Sequence, residues 1–474
     1  MYKEILTLGV APTKRGFLSM EEAKRQKDRF MKVVRAVNSD MVKIVDLDDI
    51  AENGIMFDMK LVPAAVDKFY AAKVDALFFP FCDFGEESVV ASIAKEFDVP
   101  VLVWGSRDEF PNTDAVRGRD TQCGMFAATK VLRRHGVKFS YIYNVDTDSG
   151  EFAEGFDRFL RTAAVLKSLK HLRIAKVGER PVPFMSVMAN DANLLTKFGI
   201  TVVPVSPYNV VKLAKEIVEK NSAEFSDYCK DLTGRMDISE NALTDWDGNQ
   251  TADGETTAKN IAALRMALKQ LMEESGCTAA AMQCWPAFPE LIGFSPCTAM
   301  GELADLGYPA SCETDMNGAV TMAILRACAL FKDAVFLADL TIRHPENDNA
   351  ELLWHCGPFP YSLKDPDSDA RLVAAQERFE MKDGDITVCR FDEVDGKYIL
   401  FAGEGKKVAG PETNGTYVWL EVKDWKRWEE KLIFGPYIHH VGGVYGKYLP
   451  VLREVARYLD IEFDNADEQG TYSL

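Results

Sequence analysis

The sequence has no long hydrophobic run, which separates it from membrane-spanning proteins. No segment reaches the roughly 20 apolar residues that a bilayer-spanning helix needs. At the N-terminus, "MYKEILTLGVAPTKR" has only a short apolar stretch, Ile5 to Ala11, and Glu4 precedes it. This stretch is too short and too acidic for a signal peptide or an anchor. We therefore expect a cytoplasmic protein without a membrane partner.

Paired cysteine motifs are also absent. The ten cysteines are scattered singly, with no CxxC pair, and Cys284, Cys328 and Cys389 lie inside apolar runs where small buried thiols are common. This pattern argues against a disulfide framework and against a zinc–cysteine site. It is typical of a protein in a reducing compartment.

Positive charge is scarce relative to negative charge. The chain has 55 basic and 73 acidic residues, which gives a formal net charge of −18. The average field of such a protein repels nucleic acid and anionic membranes, so we expect neither as a partner. A local basic pocket is compatible with this charge.

The composition is that of a globular enzyme or binding protein. Hydrophobic residues make up 47% and charged residues 27% of the chain, so disorder is not expected. With 474 residues, the chain is long enough for two or three domains that each bury a core.

The first 150 residues alternate between two periodicities. Apolar runs such as "VDALFFPF" and "VPVLVWG" predict strands, and stretches such as "SMEEAKRQKDRFMKVVRAV" predict helices between them. This βαβ pattern predicts a parallel sheet. No GxGxxG follows the first strand, so we expect no nucleotide cofactor. The strand ends instead in "GVAPTKRGF", which carries Lys14 and Arg15 where open α/β sheets tend to bind ligands.

The alternation resumes from about residue 151 and then gives way to hairpin signals. In "DITVCRFDEVDGKYILFAGEGKKV", Asp395 and Gly396 form a turn signal between two strand-like runs. We therefore predict an α/β fold. Its two consecutive Rossmann-like α/β domains with parallel sheets occupy 1–150 and 151–345, and a mainly antiparallel β module occupies 346–474.

Two carboxylates stand at positions where ligand-binding side chains gather. Glu313, in "SCETDMNGAV", lies between small residues at the start of an apolar helix. Asp339 closes the apolar run "AVFLAD", at the carboxyl end of a predicted strand. Each carboxylate also has an alternative explanation that needs no ligand. Glu313 would be favoured by the helix dipole as an acid in the first helical turn, and Asp339 would cap the turn after its strand.

Histidine is rare and concentrated near the end of the chain. Four of the six histidines, His344, His355, His439 and His440, lie in the last third. Adjacent side chains in an extended segment point in opposite directions, so we expect one histidine of "YIHHVGGVYG" to serve a site and the other to pack. Two carboxylates with one or two imidazoles suit manganese, and also zinc or iron, by ligand type.

Four stretches of the sequence carry a resemblance to a known family. They are "GVAPTKRGFLSMEEAKRQ", "CETDMNGAV", "FLADL" and "HHVGGVYGKYLPVLREVARYLDIEF". Taken together they resemble the L-fucose isomerase and L-arabinose isomerase superfamily of aldose–ketose isomerases. The resemblance extends over most of the chain.

This resemblance implies a set of site residues and partners. The metal-binding glutamate, aspartate and histidine of the family match Glu313, Asp339 and His440. The additional histidine of the arabinose branch matches His355, and an N-terminal arginine that reaches the substrate in the fucose branch matches Arg15. The family also implies a divalent cation, usually Mn²⁺ but also Mg²⁺ or Co²⁺, and a homo-oligomer that is often a trimer or hexamer.

The chemistry of isomerisation explains these residue types. Moving a carbonyl between C1 and C2 of a sugar requires removal of a weakly acidic C–H proton, and the resulting ene-diolate needs stabilisation as its charge develops. A divalent ion that binds O1 and O2 supplies this as a Lewis acid. Two carboxylates beside the ion share acid and base duty, one on each reacting carbon. We assign Glu313 and Asp339 as this pair, with exchange of roles allowed.

Further residues are candidates for substrate recognition. Trp285, in "QCWPAFPE", is placed to stack on a sugar face or to pack in a core. Arg343, close to Asp339, is a candidate for binding an anionic substituent, such as the phosphate or sulfonate of a modified hexose, or for a surface salt bridge. His355 joins them as a substrate-binding candidate.

Two other functional classes fit parts of the sequence. A cytoplasmic sugar-binding protein also has two α/β domains around a cleft, but it does not need two carboxylates and an imidazole around a metal. A metal-dependent hydrolase or aldolase uses similar ligands on other folds. Metal content distinguishes the first alternative, and proton exchange at C2 without bond cleavage distinguishes the second.

Overall fold

The computed structural model describes most of the chain. The described residues are 3–110, 118–245, 247–470 and 472. The chain divides into two compact units: one is Glu4–Lys167, and the other is Ser168–Leu474 with Met1–Lys3. The domain boundaries at 150 and 345 stay a prediction.

The first unit is built on a five-stranded parallel sheet with the order β2-β1-β3-β4-β5. Its strands are β1 (Leu6–Val10), β2 (Val42–Val45), β3 (Ala76–Phe81), β4 (Val101–Gly105) and β5 (Phe139–Tyr141). Its helices are α1 (Met20–Val34), α2 (Val62–Ala72), α3 (Glu87–Ala94), α4 (Thr121–Arg134) and α5 (Gly150–Lys170). The parallel sheet predicted from the βαβ pattern is confirmed.

Helices on both faces of this sheet explain its continuous apolar strands. Every residue of β3 and β4 is buried, as expected for parallel strands covered on two sides. One core, with Phe79 and Val103, lies on one face, and a second core, with Phe78 and Trp104, lies on the other. The start of α1 is fixed by a local signal: Ser19 is its N-cap and accepts a hydrogen bond from the Glu22 N–H.

The second unit begins with a four-stranded parallel sheet of order β12-β11-β6-β7. Its strands are β6 (Arg173–Val177), β7 (Thr201–Val205), β11 (Ala279–Met282) and β12 (Ala310–Ser311), and the short strands β8 (Asp237–Glu240), β9 (Leu243–Thr244) and β10 (Gln250–Ala252) lie outside it. The helices are α6 (Asp191–Phe198), α7 (Pro207–Lys220), α8 (Ala223–Arg235), α9 (Gly254–Ser275), α10 (Ala287–Ile292), α11 (Cys297–Asp305) and α12 (Met316–Cys328).

The remaining strands form a largely antiparallel ten-stranded sheet of order β21-β18-β17-β20-β13-β14-β19-β16-β15-β8. Besides β8, they are β13 (Phe336–His344), β14 (Asn347–His355), β15 (Arg371–Val373), β16 (Gln376–Glu380), β17 (Asp385–Val394), β18 (Lys397–Val408), β19 (Thr416–Val422), β20 (His440–Tyr445) and β21 (Glu462–Asn465). Helix α13 (Trp425–Phe434) follows β19, and helix α14 (Leu449–Leu459) follows β20. An additional pairing of β18 with β19 closes the sheet into a barrel-like module.

The hairpin turn predicted at Asp395 and Gly396 is confirmed. These two residues join β17 to β18, and both have positive φ, 53° and 73°, which a two-residue hairpin turn requires. The predicted fold class, parallel α/β layers followed by a mainly antiparallel β module, is likewise confirmed. Among the described residues, no helix combines the length and apolar character needed to cross a bilayer.

Candidate active site

Glu313 lies in a tight turn at the carboxyl end of β12. Glu313 and Thr314 both have positive φ, 52° and 55°, a backbone conformation that is unfavourable for non-glycine residues and clusters at functional sites. The helix does not start at Glu313, as the sequence suggested: α12 begins at Met316, and Asp315 is its N-cap. Two consecutive left-handed residues cannot continue into a right-handed helix, so the carboxylate of Glu313 is held on the turn.

Asp339 and His440 are direct cross-strand partners. In the antiparallel pair of β13 and β20, Asp339 is opposite His440, so their side chains lie on the same face. The expectation that Asp339 ends its strand is wrong, because β13 continues to His344. The residues of β13 after Asp339, of which Thr341, Ile342 and Arg343 are exposed, pair with β14 in a hairpin, which the apolar pattern alone does not reveal.

The three predicted metal ligands come together. His440 Nε2 lies 3.4 Å from Glu313 Oε2 and 3.4 Å from Asp339 Oδ1. We name Glu313, Asp339 and His440 the carboxylate–histidine cluster. Glu313 and His440 are buried, and the side chain of Asp339 is 20% exposed.

Two further histidines border the cluster. His355 Nε2 lies 4.0 Å and His439 Nε2 lies 3.9 Å from Asp339 Oδ1. His355 is buried, and burial with repulsion from His440 and His439 lowers its pKa to about 3. His439 is 45% exposed, and burial of its ring with repulsion from His440 lowers its pKa to about 4. Both rings are therefore neutral at physiological pH.

The hydrogen bond at the other nitrogen of His355 indicates its tautomer. The Cys356 backbone N–H donates to His355 Nδ1 at 2.9 Å. With Nδ1 as an acceptor, the proton of the neutral ring lies on Nε2. His355 therefore presents an N–H donor towards Asp339, whereas a metal ligand needs a free lone pair at that position.

The opposite arrangement holds for His440. Asp315 Oδ2 lies 2.9 Å from His440 Nδ1, so in the neutral ring Nδ1 carries the proton and Nε2 has its lone pair towards Glu313 and Asp339. Burial alone would lower the pKa of His440, but the hydrogen bond and charge of Asp315, with the charges of Asp339 and Glu313, outweigh it and raise the pKa.

Asp315 is in turn held by a buried arginine. Arg390 on β17 pairs with both carboxylate oxygens of Asp315, and its Nε donates to Asp392 at 2.8 Å. Asn317 also donates to Asp392, at 3.0 Å. Burial would raise the pKa of Asp315, but Arg390 and His440 outweigh it and hold that pKa well below its ordinary value.

Sequence reasoning missed this supporting network. Arg390 is fully buried, and its signal was a lone cation inside the apolar strand run "DITVCRFDEV". A charge at such a position needs a buried partner. Asp315 stood two residues after Glu313 in "CETD" and was visible as a helix N-cap.

Trp285 lies beside Glu313, where its indole N–H donates to Glu313 Oε1 at 3.2 Å. The Cys284 thiol donates to the same oxygen at 3.7 Å. The ring of Phe184 packs edge-on against Trp285, with centroids 5.5 Å apart. One oxygen of Glu313 is thus anchored, and the other faces His440.

The unanchored atoms of the cluster fit a cation. Glu313 Oε2 and Asp339 Oδ1 are buried and have no hydrogen-bond partner among the described residues, which is rare and unfavourable for buried polar atoms. Burial raises the pKa of Glu313, and burial with repulsion from Glu313 brings that of Asp339 to about 6 although His440 opposes this. His440 Nε2 lies 3.4 Å from each of these two oxygens, and carboxylate oxygens with an imidazole nitrogen are ligand types that a divalent metal takes.

Arg343 is not gathered into the cluster. It is exposed on β13, four residues beyond Asp339, and opposite Glu351 of β14. Its charge lowers the pKa of Glu351, against the larger effect of burial. Its predicted contact with substrate stays a prediction.

Arg15 lies in the first unit, in the loop after β1. Its guanidinium pairs with Glu86 at 3.2 Å and lies over the Phe84 ring, and its backbone N–H donates to Asp83 at 2.7 Å. β1 and β3 are neighbours in the sheet, but the chain continues from β1 to β2 on one side and from β3 to β4 on the other. The loop of Arg15 therefore lies at the topological switch point of the sheet. The role of Arg15 in substrate binding stays a prediction.

Comparison with family models gives two matches. Residues 9–170 match the model described as the N-terminal domain of fucose/sulfoquinovose isomerase. Residues 371–466 match the model described as the C-terminal domain of L-fucose isomerase. Glu313 and Asp339 fall between these regions, and His440 falls in the second.

Individual relatives extend over most of the chain. The sulfoquinovose isomerases of Priestia aryabhattai and Priestia megaterium are each 26% identical over 423 residues, which cover 87% of this chain and 90% of the relative. The sulfoquinovose isomerase of Alkalicoccus urumqiensis is 24% identical over 357 residues, 74% of this chain and 76% of the relative.

Proposed function

Because the chain belongs to the L-fucose isomerase superfamily, we propose that it interconverts an aldose and its ketose, and that the aldose carries a sulfonate. The names of the relatives support the sulfonated substrate. The observation that carries the proposal is the convergence of Glu313 and Asp339 on His440: its Nε2 lies 3.4 Å from one oxygen of each, and these two oxygens have no hydrogen-bond partner among the described residues.

We propose that these three residues hold a divalent cation. Mn²⁺ suits the two oxygens and one nitrogen, and Mg²⁺ or Co²⁺ are the alternatives. When bound, the cation supplies Lewis-acid stabilisation of the negative charge that develops on O1 and O2 of the sugar. Asp315 keeps His440 in the tautomer that such a ligand needs.

Glu313 and Asp339 supply the proton transfers. The reaction moves one proton from C2 to C1 and one from O2 to O1, so no atom is gained or lost. A carboxylate on each side of the reacting carbons accepts one proton and returns it, with exchange of roles allowed. Trp285 and Cys284 restrain Glu313 through Oε1, which leaves Oε2 for this work.

His355 has a different task in this proposal. Its neutral ring presents an N–H donor beside Asp339, so it donates a hydrogen bond to a sugar oxygen. A neutral donor stabilises the developing oxyanion without adding a charge to the ground state.

The test is a screen of the purified, Mn²⁺-loaded protein. Pentoses, deoxyhexoses and sulfonated or phosphorylated hexoses are supplied, and ketose formation is measured. We expect turnover of a sulfonated hexose, with exchange of the C2 proton in D₂O and no C–C or C–O cleavage. Cleavage would indicate a hydrolase or aldolase, and binding without exchange would indicate a sugar-binding protein.

Glu313→Gln is the decisive variant. The amide keeps the size of the side chain and the hydrogen bond from Trp285, so the fold is retained, but it cannot accept the proton. We expect kcat to fall at least about 10³-fold. Glu351→Gln, a buried glutamate on β14 outside the cluster, is the matched control and retains activity. Wild-type turnover by Glu313→Gln ends the assignment.

A further inference from the structure

A pocket lies beside the turn of Glu313, at the carboxyl ends of two parallel strands. It has a volume of about 240 Å³ and is lined by residues that include Lys176, Arg180, Asp191, Thr314 and Met316. Lys176 and Arg180 belong to the end of β6 and the loop after it, and Thr314 follows β12. The carboxyl edge of a parallel sheet is where open α/β folds bind ligands.

Thr314 gives this pocket a polar group without a partner. The residue is 3% exposed, and its hydroxyl has no hydrogen-bond partner among the described residues. Its backbone is fixed by the Thr314 N–H, which donates to the Met282 carbonyl at 2.9 Å. A buried hydroxyl that lines a pocket and lacks a partner is suited to donate to a ligand oxygen.

Two cations line the pocket, and only one is engaged by carboxylates in the described part of the chain. Lys176 Nζ lies 3.0 Å from Glu179 and 3.5 Å from Asp191, two acids that also line the pocket, so its single charge offsets one of their two charges. Arg180 contacts only backbone oxygens, its Nη1 lying 3.1–3.4 Å from the carbonyls of Pro181, Val182 and Phe184. These contacts position the guanidinium and leave its charge uncompensated.

The loop that carries Arg180 also borders the carboxylate–histidine cluster. Phe184, whose carbonyl accepts from Arg180, packs edge-on against Trp285 and lies 6.4 Å from the ring of His439. Thr314 follows Glu313 directly, so their Cα atoms are about 3.8 Å apart. The pocket therefore adjoins the turn that carries Glu313, where the proposal places C1 and C2 of the sugar.

We propose that the pocket binds the sulfonate of the substrate, with Arg180 as the cation and Thr314 as a neutral donor. The inference rests on the proposed isomerase function and adds to it the residues that select the anionic sugar. The planar fork of a guanidinium can donate two parallel hydrogen bonds to two sulfonate oxygens, which a lysine cannot do. The third sulfonate oxygen is left for the Thr314 hydroxyl.

The test compares two sugars that differ only in the anionic group, a 6-sulfonated hexose and the matching 6-deoxyhexose. We expect Arg180→Ala to lower the ratio of their kcat/KM values by about 10- to 100-fold, mainly through KM of the sulfonated sugar. Thr314→Val, which removes the hydroxyl at constant shape, lowers the ratio less. Arg173→Ala, at the opposite end of β6, is the control and leaves the ratio unchanged.

Calorimetric binding to the metal-free protein gives a readout that does not depend on turnover. The wild type should bind the 6-sulfonated hexose more tightly than the 6-deoxyhexose, and Arg180→Ala should remove that preference. Equal preference in wild type and variant overturns the inference. If the wild type isomerises neither sugar, the proposed function is wrong. If the wild type isomerises the sulfonated sugar and Arg180→Ala leaves the ratio unchanged, only the assignment of the pocket is wrong. If Arg180→Ala does not fold, Thr314→Val decides by the same ratio.

Discussion

At the scale of single residues, Asp315 determines which nitrogen of His440 faces the other members of the cluster. The carboxylate accepts from Nδ1 at 2.9 Å and is itself held by the fully buried Arg390. Partners of this kind fix the tautomer and raise the basicity of a ligating imidazole. Asp315 is therefore a positioning residue, which acts through His440.

We predict that Asp315→Asn weakens Mn²⁺ binding by about 10- to 100-fold. The asparagine still caps α12, but its neutral amide does not fix the proton of His440 on Nδ1. The measurement is Mn²⁺ affinity by electron paramagnetic resonance titration, with circular dichroism as a check that the variant is folded.

His355→Gln is the matched control for this titration. Because His355 presents an N–H at the cluster, its replacement by another neutral donor should leave Mn²⁺ affinity close to that of the wild type. If His355→Gln lost affinity and Asp315→Asn kept it, the two histidines would have exchanged roles and the tautomer argument would be wrong.

At the scale of elements, two glycines allow β20 to lie in the centre of the β module. A Cβ at Gly442 would lie 2.7 Å from Thr321 of α12, and a Cβ at Gly443 would lie 2.1 Å from the Phe336 ring of β13. Neither distance leaves room for a methyl group, because buried carbon atoms do not approach so closely. The pair of glycines after "HH" thus serves close packing around His440.

We predict that Gly443→Ala lowers the free energy of unfolding by about 1–3 kcal/mol, since Phe336 must leave its position. The measurement is the midpoint of thermal unfolding. Gly234→Ala is the control: it lies in α8 with nothing within 4 Å of the added methyl, and we expect it to stabilise the protein by about 0.5–1 kcal/mol. A melting temperature of Gly443→Ala equal to that of the wild type would show that the strand yields without cost.

The elements that could be predicted from the sequence are those with strong local signals. The apolar runs of β3 and β4 and the turn at Asp395 and Gly396 depend on neighbouring residues, so periodicity and turn chemistry reveal them. The pairing of Asp339 with His440 joins residues about one hundred positions apart. Register between such distant strands is set by packing of the whole sheet, which no short window contains.

In the candidate site, too, some residues could be predicted from the sequence and others could not. The resemblance to a family pointed to Glu313, Asp339 and His440, and the structure brings these together. The buried pair of Asp315 and Arg390 was missed, because its meaning depends on two side chains that approach only after β17 and α12 have packed.

At the scale of the whole molecule, Glu351 makes the stability of the protein depend on pH. It is 4% exposed, and its Oε2 has no hydrogen-bond partner among the described residues. Burial and repulsion from Glu429 raise its pKa to about 8, although Arg343 opposes this. The folded protein therefore holds the proton of Glu351 more tightly than the unfolded chain does.

The sign of the effect follows from linkage. The stabilising contribution of the protonated group is complete below pH 4.5 and is lost as the pH rises to about 8. We predict that Glu351→Gln removes this loss, so that its stability advantage over the wild type grows by roughly 1–3 kcal/mol from pH 5 to pH 8. Melting temperatures at both pH values measure it, and Glu346→Gln, exposed on the same hairpin, is the control. A constant difference between the two pH values contradicts the prediction.

The assembly of several chains belongs to the same scale. The trimer or hexamer that the family implies stays a prediction, and sedimentation of the purified protein measures it.

The turn after β12 and the strands β13 and β20 contribute to one cluster from two separate sheets. A slip of one residue in the pairing of β13 with β20 would rotate Asp339 or His440 to the opposite face of the sheet. Under the proposed function, a newly folded chain would therefore gain its cation site only after β13 and β20 have paired in this register.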